Sequence, residues 1–184
     1  MDRRIKKTKQ LLKNTLVSLM ESHSILKISV TMITEKADLS RGTFYFHYLD
    51  IFDMIDKIED EIINDIKKII EKYRLDLINN DYTKTLLEIA DYVKTNKNLF
   101  RAFFSDNGDI AFMTKLKNEM MKLNYYLEGQ HKDKISDKSI QYEIGNFIIY
   151  GGIGLFKDWI YNDCSLDPEY VITEMFNFFT NIRI

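Results

Sequence analysis

Between residues 51 and 73, apolar side chains fall at Ile51, Ile55, Ile58, Ile62, Ile66, Ile69 and Tyr73, always three or four apart. An α-helix gathers such a series onto one side, whereas a strand would scatter it over both faces. The spacing therefore predicts a long helix with one continuous apolar stripe that other elements must cover. Asp50 stands just before it, where a side-chain oxygen can cap the first turn. Little else in the chain interrupts helices: there is one proline, Pro168, and there are seven glycines in 184 residues. With strand signals scarce, an all-α fold is expected. Ile5, Leu12, Leu16 and Leu19 mark a first helix over 3–21, followed by the loop SHSILK and two short helices over 30–37 and 40–48. Beyond Asn79 and Asn80, helices are predicted near 82–95, 98–104, 110–127, 138–161 and 169–182. The breaks are TNKN, SDNGD, EGQHKDKISD and NDCSLDP.

The formal net charge is −2, but it is unevenly spread. Residues 1–48 hold nine Lys/Arg and four Asp/Glu, a net of +5; residues 49–184 hold seventeen and twenty-four, a net of −7. That asymmetry fits a basic nucleic-acid module joined to an acidic body, or else a basic helix that is merely solvated. The single cysteine, Cys164, supports neither an internal disulfide nor a zinc site, so a reducing cytoplasm is expected. MDRRIKKTKQ has no apolar signal-peptide core behind it, and no apolar run reaches the roughly 18 residues of a membrane helix.

The stretch ISVTMITEKADLSRGTFYFHYLD is the most informative. Ser29 can cap a helix whose Val30, Ile33 and Ala37 face inward. Asp38-Leu39-Ser40 makes a tight turn, with Asp38 where a positive φ is often needed, and Ser40 can cap the next helix. Leu39 and Phe44 would anchor that helix. Arg41, Gly42, Thr43, Tyr45, Phe46 and His47 remain outward. Arg41 carries a fork suited to guanine O6/N7, Gly42 permits close backbone approach, and Thr43 and Tyr45 offer hydroxyls. His47 can donate to phosphate. An ordinary helical hairpin with core aromatics is the bland alternative, but an exposed Tyr45–Phe46 pair is costly unless something covers it, and a DNA major groove would.

LSRGTFYFHYLDIFDMI resembles the recognition-helix signature of tetracycline-repressor (TetR) family regulators, roughly S-x-G-T-x-Y-x-H-F ahead of a capped long helix. Ser40, Gly42, Thr43, Tyr45 and His47 match, with Tyr48 for the usual Phe, and the likeness covers about residues 3–60. It implies a protein of about nine helices, with DNA-binding residues 1–50 and a regulatory and dimerisation domain over 51–184. Carried over by position, Arg41, Gly42, Thr43, Tyr45 and Phe46 are base-side candidates, and Thr31, Tyr45 and His47 phosphate-side candidates, with Ser40 at the helix start. The family usually has Gly where Asp38 stands, and a phosphate-contacting Lys where Ile51 stands. NKNLFRAFFSDNGDIAF and FIIYGGIGLFKDWIYND are similar to the regulatory domain of the subgroup related to the dihydroxyacetone-kinase operon regulator. The resemblance also implies a homodimer built from the last two helices, with Ile144, Phe147, Ile148, Gly151, Leu155, Trp159 and Phe176 as interface candidates; intrasubunit core is the other reading.

YGGIGLF lacks the preceding strand and the Lys-Ser/Thr of a phosphate loop, so its glycines read as helix-packing positions. Glu59, Asp60, Glu61 and Asp65 read as a solvated face rather than a metal site, and His23, His47 and His131 have no zinc spacing. Phe100, Phe103, Phe104, Phe112, Met113, Met120 and Tyr125 either line an apolar effector pocket or fill a core. The resulting expectation is a cytoplasmic, homodimeric transcriptional regulator, a repressor of a double-stranded DNA operator, controlled by a small-molecule effector or partner. It is not an enzyme and needs no cofactor, metal or membrane. The alternative is a protein-binding co-regulator that keeps the fold but binds DNA weakly.

Overall fold

The computed structural model describes residues 3–79, 81–128 and 138–181; within these, the side chains at 110, 126–128, 138–142, 144, 145, 148 and 175–181 lie outside the description. Among the described residues there are ten α-helices and one 3-10 turn, and no strand. The helices are α1 Arg3–Met20, α2 Val30–Lys36, α3 Arg41–His47, α4 Ile51–Lys72, α5 Arg74–Ile78, α6 Thr83–Thr95, α7 Lys97–Phe104, α8 Ile110–Glu128, α9 Lys138–Tyr161 and α10 Pro168–Asn181. No described helix is long and apolar enough to cross a membrane.

Two elements depart from the periodic reading. Within SHSILK, Ile25–Lys27 forms a 3-10 turn that buries Ile25. The stripe that promised one helix through Tyr73 breaks there, and α5 follows as a separate short helix. No breaker residue marks the corner; it is held from outside, because Lys72 Nζ and the Tyr73 hydroxyl both donate to Glu88 Oε2, at 2.6 and 2.7 Å, on α6.

The chain divides into two compact units, Met1–Asn64 with Asn98–Met113, and Asp65–Lys97 with Thr114–Ile184. In the first, α2 packs on α1 and on α3. Leu12 and Leu16 of α1, Ile33 of α2, Phe44 of α3 and Met54 and Ile62 of α4 are wholly buried. Each such side chain contributes roughly 1.5–3 kcal/mol by leaving water. Lys13 of α1 also pairs with Glu61 of α4 at 3.2 Å. Segment 98–113 adds an aromatic cluster, with Phe103 and Phe104 each packed on Phe112 at ring distances of 5.3 and 5.9 Å. Its SDNGD corner is tied to the N-terminal helices twice: Asn107 Nδ2 donates to the Met20 carbonyl at 3.1 Å, and the Ile25 N–H donates to the Asn107 carbonyl at 2.8 Å.

In the second unit, α6 packs against α9 and α10. Trp159 and Ile160 of α9, Ala90 and Val93 of α6 and Ile172 of α10 are buried there. Helix α9 ends where Asp163 and Cys164 take the left-handed conformation, φ 59 and 53, and the Cys164 N–H returns to the Trp159 carbonyl at 2.9 Å. YGGIGLF lies inside α9, as a helix and not a phosphate loop.

Candidate nucleic-acid interface

The helix-turn-helix is held by short-range chemistry. Ser29 Oγ accepts from the Met32 N–H at 3.3 Å and so starts α2. Asp38 takes φ 51, the left-handed geometry for which the family pattern would use glycine, and the Leu39 N–H closes on the Thr34 carbonyl at 2.9 Å. Asp tolerates this region better than most side chains. Ser40 Oγ then accepts from the Thr43 N–H at 3.0 Å and lies 2.9 Å from the Thr43 hydroxyl, capping α3. Phe44 is fully buried, with its ring 5.6 Å from that of Tyr48, also buried. Burial, with Glu61 and Asp53 nearby, pushes the Tyr48 hydroxyl up to about 12, so it stays neutral.

Most of these α3 side chains lie at the surface. Phe46 is 73% and Tyr45 55% exposed, and Arg41 and Gly42 are exposed. A Cβ at Gly42 would meet only Ser40 Oγ, at an ordinary 3.6 Å, so nothing in the chain itself demands glycine there. Arg41 Nη2 donates to Thr31 Oγ1 at 2.7 Å, joining the exposed arginine to a half-buried threonine ten positions earlier. Thr43 and His47 are half-buried, because they line an open groove of about 390 Å³ between α1 and α3. Arg4, Ile5 and Thr8 form its other wall. Burial, then the charge of Lys9, lowers the His47 pKa below the ordinary 6.5, so the uncharged imidazole predominates at neutral pH.

The junction to α4 replaces the missing lysine with a different arrangement. Asp50 Oδ1 accepts from the Asp53 N–H at 2.8 Å, as its place before the stripe implies, and Asp53 Oδ2 accepts from the Leu49 N–H at 2.8 Å. Ile51 is buried. Lys57, one turn past Asp53, pairs with it at 2.8 Å, donates to the His47 carbonyl at 3.4 Å and lies 5.5 Å from the Tyr48 ring centre. The Lys57 hydrogen bond first, and the Leu49 N–H second, hold the Asp53 carboxyl below its usual range. Sequence reading missed Lys57; its i,i+4 spacing from Asp53 was the available signal.

The remaining candidates separate. Phe100, Phe103, Phe104 and Phe112 are buried against one another and fill their own space, in the same compact unit as α3. Met113 and Met120 are half-buried, whereas Tyr125 is 71% exposed. The apolar crevice among Ala90, Phe156, Trp159, Val171 and Ile172 is too tight to admit even a water molecule, whereas ligand pockets begin at roughly 300 Å³. Of the interface candidates, Phe147 and Leu155 are exposed, and a Cβ added at Gly151 would meet nothing within 4 Å. Trp159 is instead core: it is buried and its indole N–H donates to the Leu166 carbonyl at 3.0 Å. The Ile144, Ile148 and Phe176 side chains lie outside the described residues. The acidic face corrects one expectation, since Glu59 is only 2% exposed rather than solvated. Asp65 pairs with Lys68 at 2.8 Å. Among the described residues no group of three His, Cys, Asp or Glu is placed to hold a metal.

Residues 80–181 match a family model described as "Transcriptional regulator C-terminal region", of the TetR type. No curated protein matches the sequence. Among solved structures, the chain is similar to a TetR transcriptional regulator from Streptococcus agalactiae 2603V (20% identity, 96% of each chain, TM-score 0.64). It is similar to NalD, the secondary repressor of the MexAB-OprM multidrug efflux pump in Pseudomonas aeruginosa (14% identity, 94% and 95% covered, TM-score 0.66). It also resembles the dihydroxyacetone kinase operon activator DhaS (17% identity, 93% of each chain, TM-score 0.60). At these identities the structures speak for the fold, all-helical over nearly the whole length. With the family model covering more than half of the sequence, the chain belongs to the TetR family of transcriptional regulators.

Proposed function

We propose that this regulator binds a roughly palindromic DNA operator as a homodimer, with α3 of each copy in a major groove and residues 1–50 as the reading module. The observation that carries it is the uncovered face of α3. Arg41, Tyr45 and Phe46 are exposed beside a groove whose far wall includes Arg4, while Phe44 and Tyr48 are buried. Arg41, Gly42, Thr43, Tyr45 and Phe46 face bases; Thr31 and His47 stand at the edge of that face, and Ser40 fixes the helix start. Half-sites would lie about 34–36 Å apart, one turn of the duplex.

Dimerisation through α9 and α10 is supported by exposed Phe147, Tyr150 and Leu155 next to glycines that leave open space. Residues 51–184 would carry that interface and the control by an effector or partner. Repression would follow where the operator overlaps the site at which the polymerase binds.

The test is selection of duplexes from a random pool, followed by binding at fixed salt. Arg41→Ala should cost about 1–3 kcal/mol and relax specificity at one base pair per half-site. Failure to enrich any duplex would favour the co-regulator reading, which the buried Ile51 also supports. Sedimentation of Phe147→Asp should give monomer where the wild type gives dimer; an unchanged dimer would move the interface elsewhere.

A further inference from the structure

We propose that Thr31 is a positioning residue for Arg41: its hydroxyl holds the guanidinium in the orientation from which it reads a base, so sequence discrimination depends on a side chain that need not touch that base. This rests on the DNA reading of α3 given above.

Arg41 is the first residue of α3, exposed, on a long flexible side chain that would otherwise sample many rotamers. Its Nη2 donates to Thr31 Oγ1 at 2.7 Å, across the turn from α2. The acceptor is well fixed. Thr31 is β-branched and stiff at χ1, and it sits in the first turn of a helix that Ser29 caps. The distance between the two helices is fixed as well, by the left-handed Asp38 and by the Leu39 N–H on the Thr34 carbonyl.

The chemistry of the pair suits orientation without sequestration. A hydroxyl is neutral, so it leaves the guanidinium charge uncompensated; a carboxylate at this position would trap it. Arg carries five N–H donors and Thr31 takes one, which leaves enough for a two-pronged contact with guanine O6 and N7. Ordering the side chain before DNA arrives removes part of the entropic cost of binding. Thr31 therefore acts on specificity, whereas a Thr31 hydroxyl that only met phosphate would add the same affinity to every sequence.

The experiment uses the full-length protein and a duplex that the wild type selects from a random pool. Arg41→Ala first identifies the base pair whose discrimination it controls, at one fixed salt concentration. Thr31→Val should then lower discrimination at that same base pair by roughly 2- to 12-fold, the range for one hydrogen bond. Thr31→Ser should restore it, and Thr31→Val should have no further effect when Arg41 is already Ala. A matching far-ultraviolet spectrum and urea midpoint for Thr31→Val exclude misfolding, and Thr31→Ser supplies a variant that keeps the hydroxyl. An equal loss on all duplexes, persisting in the Arg41→Ala background, would make Thr31 a phosphate contact and overturn the inference. Unchanged discrimination with Thr31→Val would overturn it too. Should Arg41→Ala itself leave every base pair equally well discriminated, the DNA reading of Arg41 falls, and this inference with it.

Discussion

Gly108 offers the sharpest test of how the N-terminal helices are held to segment 98–113. A Cβ built there would lie 2.2 Å from the Phe103 carbonyl oxygen, 2.7 Å from its carbon and 2.8 Å from the Ala102 oxygen. These are backbone atoms at the end of α7, so no rotamer change relieves the contact; the corner must move by about an ångström to reach ordinary packing distance. Neighbouring Asn107 makes the two hydrogen bonds that tie the corner to the N-terminal helices, to the Met20 carbonyl and from the Ile25 N–H. Forcing bulk into a packed site costs about 1–3 kcal/mol, and each strained hydrogen bond adds roughly 0.5–1.5 kcal/mol. Gly108→Ala should therefore destabilise by about 2–5 kcal/mol, since the two hydrogen bonds are partly lost rather than abolished.

Urea unfolding at one fixed protein concentration reads this as a fall in the midpoint of roughly 1–2 M, given an m-value of a few kcal/mol per molar for a chain this size. Amide exchange at Ile25 adds a local readout, because its N–H loses protection only if the Asn107 bond opens. Gly42→Ala is the control: a Cβ there would meet only Ser40 Oγ, at an ordinary 3.6 Å, and alanine within a helix is worth up to about 1 kcal/mol over glycine. A Gly108→Ala midpoint within 0.2 M of wild type (about a tenth of the expected range), with Ile25 still protected, would refute the close-approach argument.

Exposure separates two aromatics two positions apart: Phe44→Ala should cost about 3–5 kcal/mol of stability, whereas Phe46→Ala should change stability by less than about 0.5 kcal/mol and weaken operator binding instead. Equal urea midpoints for the two variants would contradict this. Ser40→Ala removes the acceptor for the Thr43 N–H and should cost about 0.5–2 kcal/mol, read from the same unfolding curves. For His47, the folded pKa lies below 6.5, so the folded state binds fewer protons than the unfolded state; this contribution to stability is present above pH 6.5 and is lost as pH falls from 6.5 to the folded value. A bound phosphate favours the charged imidazole, so operator affinity at fixed salt should rise as pH drops from 8 to 6, and His47→Gln should flatten that rise. An identical pH profile in the variant would remove His47 from the phosphate side.

Much of the architecture could be read from residue order because it rests on local chemistry. The helical periods depend on side-chain spacing, and the caps at Ser29, Ser40 and Asp50 each involve a donor three residues on. The positive φ at Asp38 follows from the demands of one turn. What was not legible depends on partners distant in sequence. The break at Tyr73 is set by Glu88, fifteen residues away, and the SDNGD corner is anchored by Met20, 87 residues before Asn107. The aromatic run from Phe100 to Phe112 has the composition of a pocket and the packing of a core, a difference that composition does not encode.

The same distinction sorts the residues of the DNA-facing surface. Which side chains of α3 point outward follows from period and from the burial of Phe44, so the outward set could be named in advance. How they are held could not be. Arg41 is steadied by a hydroxyl on the preceding helix, His47 shares its groove with Arg4, Ile5 and Thr8 of α1, and the end of α3 is closed by Lys57 from α4. Each of these supports comes from a different helix, so each couples α3 to an element that does not itself present the reading face. A substitution in any of the three can thus change how DNA is read while leaving the outward residues of α3 untouched, and the Thr31→Val and Arg41→Ala cycle measures one such coupling directly.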